Sequence, residues 1–306
     1  MKRRTVLSSI GLTAIGGWLG RAARGQSPEA TAKAIASVPF ERIEVPGQDA
    51  LAAWERLKRE GRGWPVVVGG DEDLVFMADL WASGGQRSPP EILTAAERMR
   101  HPEDLRDLRS REAAEGEAAT RRMLAEGDRA FDTPSLKMFE TGPDGRMRQL
   151  SPAEIRERYE ASLEPQEPEI GQWPSQAYPS TGLSVASDVL TSKPLDRVHI
   201  LRLPTAEAAA VPAVLRWGGW NACPAPEYHV AALRSWRERY DAELIGLSGD
   251  VMNLRVTHRP STRDEAIDLA REQFLYCEDI VSQGTGTLAP LAAMLMQDPW
   301  WFFWWD

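Results

Sequence analysis

One short string near the carboxyl end holds several side chains that could do chemistry. It spans residues 217–224 and includes Trp217, Gly218, Gly219, Trp220, Asn221 and Cys223. Glycines allow a backbone to approach a ligand closely, and paired tryptophans can wall an apolar pocket with their indole N–H groups pointing inward. The pattern predicts a ligand-binding cleft at this bend, lined by the residues from Trp217 to Asn221. The alternative is a purely structural turn in which both tryptophans fill the core.

The same segment allows a catalytic interpretation. A cysteine beside a histidine can act as a nucleophile with the imidazole as its base, so Cys223 and His229 are candidate catalytic residues, with Asp250 as a candidate acid or base. Nothing in the sequence visibly lowers the pKa of the thiol. The chain also lacks a phosphate-binding loop, a GxSxG nucleophile turn, an HExxH helix and paired CxxC motifs. Whether the protein is an enzyme therefore stays open at this stage.

The chain has two cysteines, Cys223 and Cys277. In an oxidising compartment they could form a disulfide, which would stabilise the fold by about 4 kcal/mol through chain entropy. A zinc site using these cysteines, His229 and Asp279 has suitable ligand types but no diagnostic spacing. We therefore expect no metal, and no loop in the sequence indicates an organic cofactor.

The first 27 residues are typical of an export signal. They begin with the basic residues Lys2, Arg3 and Arg4, continue through an apolar stretch, and reach a predicted cleavage point after Gly25. The paired arginines resemble a twin-arginine translocation signal, and a general secretory signal is the alternative. We therefore expect a periplasmic or secreted protein. Because a membrane span needs about 20 apolar residues, no stable span is expected after cleavage.

The charge of the chain argues against nucleic acid as a partner. It holds 36 Lys and Arg against 45 Asp and Glu, a formal net charge of −9, and loss of the five basic signal residues makes it −14. Binding to phosphates needs a clustered basic surface, whereas the arginines of residues 109–123 are interleaved with glutamates. The expected partner is an unidentified protein or a small molecule.

Alternating sequence periodicities indicate an α/β fold. They predict a strand–helix–strand unit over residues 38–100, a charged helical and irregular connector over 101–190, and an α/β domain over 191–306. A hairpin around the turn at 248–250 requires antiparallel pairing within the sheet. The expected architecture is therefore a mixed sheet with flanking helices, arranged in two or three layers.

Seven of the twelve tryptophans lie in the last part of the chain, residues 212–306. Three strings there, WGGWNACP at 217–224, QGTGT at 283–287 and DPWWFFWWD at the terminus, resemble the carboxyl half of a family known as domain of unknown function 4253. A GGWN-x-CP turn and a terminal WxFWWD run recur in that family. Because the family has no assigned activity, the resemblance transfers no catalytic residue.

The resemblance does bear on the cysteines and on the aromatic terminus. Relatives without export signals carry both cysteines, which implies a pair of buried free thiols as the alternative to a disulfide. The six rings of residues 300–305 must be buried within the fold, in a partner or against lipid. Relatives with similar termini favour an interior strand, which we expect to share one interior with the bend at 217–224, and an oligomer or partner surface is the alternative. The function expected overall is that of a non-catalytic binding or interaction module, with a hydrolase-like enzyme using Cys223 and His229 as the alternative.

Overall fold

The structure is a computed structural model that describes residues 28–82, 87–133, 136–141, 145–163 and 167–305. The predicted export signal, residues 1–27, lies outside the described residues. Within those ranges, every helix is too short or too polar to cross a membrane.

Helices and strands alternate along the chain, and the predicted α/β class with a mixed sheet is confirmed. The helices are α1 (Pro28–Ala36), α2 (Ala50–Arg59), α3 (Asp71–Ala82), α4 (Pro89–Ala96), α5 (Glu103–Ala125), α6 (Pro152–Ala161), α7 (Val211–Leu215), α8 (Pro226–Tyr240), α9 (Arg263–Tyr276) and α10 (Leu288–Gln297). The strands are β1 (Glu41–Val45), β2 (Trp64–Gly69), β3 (Phe139–Thr141), β4 (Met147–Gln149), β5 (Val198–Leu203), β6 (Glu243–Leu247), β7 (Val251–Arg255) and β8 (Trp300–Trp304).

Six strands form one sheet in the order β1-β5-β2-β6-β7-β8, and β3 pairs with β4 in a separate hairpin. β2 and β6 are parallel, while the other neighbours in the large sheet are antiparallel. β5 is buried along its whole length and lies between β1 and β2. The predicted unit at 38–100 and the predicted domain at 191–306 therefore build a single sheet and share a core.

The predicted connector is tied to this sheet by specific contacts. Asn253 of β7 is fully buried, and its side-chain oxygen accepts a hydrogen bond from the backbone of Val185 at 3.1 Å. Asp298 likewise accepts one from the backbone of Thr181 at 2.9 Å. Where a segment has no regular structure, its backbone N–H groups need partners other than a helix or strand, and these two side chains provide them. The segment before β5 is irregular but fixed in place.

Two helix starts follow their sequence signals. Ser151 caps α6 and Thr262 caps α9, each with a glutamate three residues later, Glu154 and Glu265, completing a capping box. α5, predicted as a solvated helix, is exposed over most of its length and buries Leu105 near its start.

The aromatic terminus forms β8, which pairs with β7 and lies at the edge of the sheet. Side chains alternate across a strand, so Trp301 and Phe303 point into the core together with Trp305 just beyond the strand. The remaining rings, those of Trp300, Phe302 and Trp304, are partly exposed. The prediction of a fully interior strand is therefore wrong, because one face of an edge strand carries the buried rings and the other face does not.

A largely buried carboxylate joins two helices, α8 and α9, to the loop between α4 and α5. Glu272 of α9 lies 3.0 Å from the imidazole of His101, accepts the indole N–H of Trp236 at 2.6 Å, and accepts a bond from Arg239 of α8 at 2.9 Å. Burial works to raise its pKa, but the bonds from His101 and Arg239 outweigh burial and hold the pKa at about 2. The ionised form is therefore the stable one in the fold.

Replacing Glu272 with Gln removes this charge while keeping an oxygen for Trp236. We expect the free energy of unfolding to fall by roughly 1–3 kcal/mol at neutral pH. Because the folded pKa lies below the usual value of 4.5, the wild type has this stabilisation above about pH 4.5 and loses up to about 3 kcal/mol as pH falls towards 2. Urea unfolding followed by tryptophan fluorescence at several pH values measures both effects.

The matched control is Glu238→Gln, at an exposed position of α8. This variant is expected to keep the wild-type pH profile. If Glu272→Gln and the wild type lost stability in parallel between pH 5 and 2, Glu272 would not be the stabilising ion that its contacts indicate.

Candidate functional site

The bend at 217–224 follows the short helix α7, which ends in left-handed backbone at Arg216. The backbone N–H of Trp217 donates to the carbonyl of Pro212 at 2.8 Å, which closes the helix. Gly218 and Gly219 then take φ angles of +114° and +89°, a region that L side chains rarely adopt. The backbone N–H of Gly219 donates to the carbonyl of Pro224 at 2.8 Å and closes the bend on itself.

The two tryptophans of the bend occupy different environments. Trp217 is fully buried, and its indole N–H donates to the backbone carbonyl of Ser248 at 2.8 Å. It therefore belongs to the core and presents no surface to a ligand. Trp220 is half-buried, and its ring packs edge-on against that of Phe76 with 5.5 Å between the ring centroids. Whether the outer residues of the bend, Gly219, Trp220 and Asn221, bind a ligand stays a prediction.

Cys223 and His229 are in contact, as the catalytic interpretation requires. The Sγ of Cys223 lies 3.4 Å from Nε2 of His229, and the hydroxyl of Tyr276 is hydrogen-bonded to Nδ1 of the same ring. The position beside the imidazole that a carboxylate would occupy is therefore filled by a phenol from α9. Asp250 lies in the β6–β7 turn, where its carboxylate accepts a hydrogen bond from Ser248 at 3.4 Å.

The Cys223, His229 and Tyr276 side chains are sealed inside the protein. All three residues are buried. The centroid of the His229 ring lies 4.9 Å from that of Trp217 and 5.5 Å from that of Trp305. Burial raises the pKa of the Cys223 thiol well above its usual 9.0 and lowers the pKa of His229 to about 3. At neutral pH both groups are uncharged, so the pair lacks the thiolate that a cysteine nucleophile needs.

The two cysteines are free and buried. The Sγ of Cys277 donates to the backbone carbonyl of Trp304 at 2.9 Å, whereas that of Cys223 faces His229. The two thiols thus contact different groups. Of the two expectations, a disulfide or two buried free thiols, the structure has the free thiols. Within the described ranges, no group of three or more His, Cys, Asp or Glu side chains is arranged to hold a metal ion.

A second cluster of polar side chains lies around a cavity that the sequence analysis did not identify. The cavity has a volume of about 460 Å³ and lies between α1 and the end of the sheet formed by β1 and β5. Its lining comprises Thr31, Ala32, Ile35 and Ala36 of α1, Arg42 and Glu44 of β1, Asp71 at the start of α3, and Arg197 and His199 at the start of β5. We call this space the α1 cavity.

Strand register brings the charged residues of the α1 cavity together. His199 pairs with Glu44 across β1 and β5 and with Gly69 across β2 and β5. Because α3 begins two residues after Gly69, Asp71 is delivered beside the same imidazole. Its Oδ1 lies 2.7 Å from Nε2 of His199.

The contact between His199 and Asp71 defines the roles of the two ring nitrogens. A carboxylate can only accept hydrogen bonds, so Nε2 of His199 carries a proton and donates to Asp71. Nδ1 is buried, has no hydrogen-bond partner among the described residues, and faces Oε1 of Glu44 at 3.9 Å. Burial works to raise the pKa of Asp71, but the bond from His199 and the charge of Arg197 outweigh it and lower that pKa.

The sequence contained only a weak signal for the α1 cavity. His199 alternates with the apolar residues of a buried strand, which is also what a packed core histidine would do. Asp71 follows a strand that ends in two glycines, a position where ligands often bind in α/β sheets. The two residues are far apart in the chain, and only the strand order makes them neighbours.

Comparison with protein families finds a match for the carboxyl-terminal part of the chain. Residues 199–306 match the family described as Domain of unknown function (DUF4253). The resemblance expected from the bend and the aromatic terminus is thereby confirmed for about the last third of the chain, which contains the Cys223, His229 and Tyr276 cluster. No curated protein and no solved structure gives a significant match.

The two glycines of the bend predict different responses to the same substitution. A Cβ on Gly218 would lie 2.3 Å from the carbonyl oxygen of Pro224 and 2.7 Å from Nε2 of His229, whereas one on Gly219 would have no heavy atom closer than 4.0 Å. Both positions have positive φ, so Gly219→Ala measures the backbone cost alone, about 1 kcal/mol. We expect Gly218→Ala to cost at least about 2 kcal/mol more because of the clash.

Chemical denaturation of the two alanine variants, read by tryptophan fluorescence, provides the comparison. Equal destabilisation by both substitutions would contradict close packing of Gly218 against His229.

Proposed function

We propose that this protein is a non-catalytic binding module that holds a small molecule in the α1 cavity. The observation that carries the proposal is the cavity itself, in which the charged side chains of Arg42, Glu44, Asp71 and Arg197 converge around the buried His199.

The surroundings of His199 support a binding role. A cavity of about 460 Å³ falls within the range of sites for small ligands, which combine apolar walls with a few placed polar groups. Here α1 supplies the apolar wall, and Arg42, Arg197 and Glu44 supply the charges. Asp71 also lies just beyond the carboxyl end of β2, a position where α/β sheets commonly bind their ligands.

The hydrolase-like alternative has one observation in its favour, the 3.4 Å contact between Cys223 and His229. Against it stand the burial of both groups and their uncharged state at neutral pH. A substrate would need to displace packed tryptophans to reach the sulfur. We therefore propose that this pair is part of the folded core rather than a catalytic dyad.

We also propose that the protein is exported through a twin-arginine-type signal and acts in the periplasm or outside the cell. The basic start at Arg3 and Arg4 and the small residues before Gly25 support this location. Amino-terminal sequencing of protein recovered from the periplasm tests it. A mature chain beginning at Gln26 is expected, and intact chain found only in the cytoplasm would contradict export.

Thermal denaturation with a panel of small charged molecules tests the binding proposal. The panel contains acetate, succinate, putrescine, glycine betaine and the standard amino acids. A ligand that binds only the folded state raises the melting temperature in a saturable way. We expect at least one member to do so in the wild type, and isothermal titration calorimetry to confirm the same ligand.

Paired variants on one helix locate the site. Ala32 lines the α1 cavity, whereas the neighbouring Lys33 is exposed and is not part of its lining. We expect Ala32→Trp to fill the cavity and abolish the response, and Lys33→Trp to leave it unchanged. A response that survives Ala32→Trp, or no response to any member of the panel, would overturn the proposal.

A further inference from the structure

The α1 cavity carries charges of both signs in nearly equal measure. Arg42 and Arg197 are positive, and Glu44 and Asp71 are negative. In the structure these side chains pair with each other. Arg42 lies 3.3 Å and Arg197 lies 3.7 Å from Glu44, and Arg197 also forms a close ion pair with Asp71.

This balance restricts the charge of a ligand. A simple anion entering the cavity would approach Glu44 and Asp71 as well as the arginines, and a simple cation would approach both arginines. A molecule with one charge of each sign can instead offer every lining charge an opposite partner. The charge pattern therefore favours a zwitterion over a singly charged ligand.

The positive end of such a ligand has a defined place. Of the two lining carboxylates, Glu44 has the longer ion-pair contacts, at 3.3 Å to Arg42 and 3.7 Å to Arg197, whereas Asp71 is held by His199 at 2.7 Å. An ammonium group about 2.8 Å from the Glu44 carboxylate replaces these long contacts with a charge-assisted hydrogen bond.

The negative end follows from Arg42. Its contact with Glu44, at 3.3 Å, is longer than the 2.7–2.9 Å typical of a charge-assisted hydrogen bond. A ligand carboxylate can therefore replace Glu44 on Arg42, which leaves Glu44 for the ammonium group. Because Arg42 and Glu44 are neighbours, the two charged groups of the ligand must also be close together, as they are in an α-amino acid.

The rest of the ligand would meet α1. Ala32, Ile35 and Ala36 present apolar side chains to the cavity, and burial of apolar ligand surface against them is favourable. We propose that the α1 cavity binds an α-amino acid with an apolar side chain, its ammonium group on Glu44 and its carboxylate on Arg42. This inference rests on the proposed function, because it assigns a ligand class to the same cavity.

Calorimetric titration with leucine and two analogues that each lack one charge tests the assignment. N-acetyl-leucine has no ammonium group, and leucinamide has no carboxylate. We expect leucine to bind the wild type and each analogue to bind at least about tenfold more weakly, because each leaves a charged partner in the cavity unpaired.

Two variants test the proposed contact with the ammonium group. Glu44→Gln should weaken leucine binding at least about tenfold, since it removes the charge that faces the ammonium group. Glu72→Gln is the matched control, because Glu72 is exposed next to Asp71 and is not part of the lining. It should bind leucine as the wild type does. Leucine binding that is unchanged in Glu44→Gln would overturn the inference.

The outcomes separate the ligand class from the binding function itself. If N-acetyl-leucine or leucinamide bound as tightly as leucine, and Ala32→Trp abolished that binding, the cavity would be a ligand site but the zwitterion assignment would be wrong. The same conclusion holds if another member of the charged panel bound there and leucine did not. If nothing bound in the cavity, both the assignment and the proposed function would fail.

Discussion

The burial of Trp217 is the interaction on which the carboxyl-terminal third depends. Its indole N–H bonds to the carbonyl of Ser248 at the end of β6, and its ring meets Trp305 edge-on at 5.4 Å. One side chain thus joins the bend, the central sheet and the end of the chain. Fully burying a large aromatic side chain removes roughly 150–250 Å² from water, so the surrounding elements are held in a single arrangement.

That arrangement decides which polar groups can meet a ligand. The rings around Trp217 enclose Cys223 and His229, and enclosure keeps both uncharged. The helix α5 closes the same region from outside, because Arg109 donates to the carbonyls of Ala222 and Leu275 at 2.7 and 3.2 Å. The charged lining of the α1 cavity lies at the opposite edge of the shared sheet, beside β1 and β5. A dry interior and a charged cavity are therefore separate features of one fold.

The sequence predicted what local patterns determine. The alternating periodicities indicated the α/β class, and the bend and the aromatic terminus were correctly placed in one interior. Strand order was not predictable, because the insertion of β5 between β1 and β2 depends on pairing between distant segments. The contact of Asp71 with His199 follows from that order and was missed with it. The edge position of β8 was missed for the same reason, since burial of alternate rings does not reveal how many neighbours a strand has.

Thiol reactivity tests most directly whether the interior around Trp217 is closed. Folded protein, prepared without reductant, is treated with iodoacetamide at about pH 8 and compared with protein unfolded in guanidinium, and the modified cysteines are identified by mass spectrometry. Because burial raises the pKa of the thiols of both Cys223 and Cys277, neither should be modified in the folded protein, and both should be modified once it unfolds. Rapid modification of Cys223 in the folded protein would contradict a sealed core and restore a nucleophilic role, and failure to modify either cysteine after unfolding would reveal a disulfide.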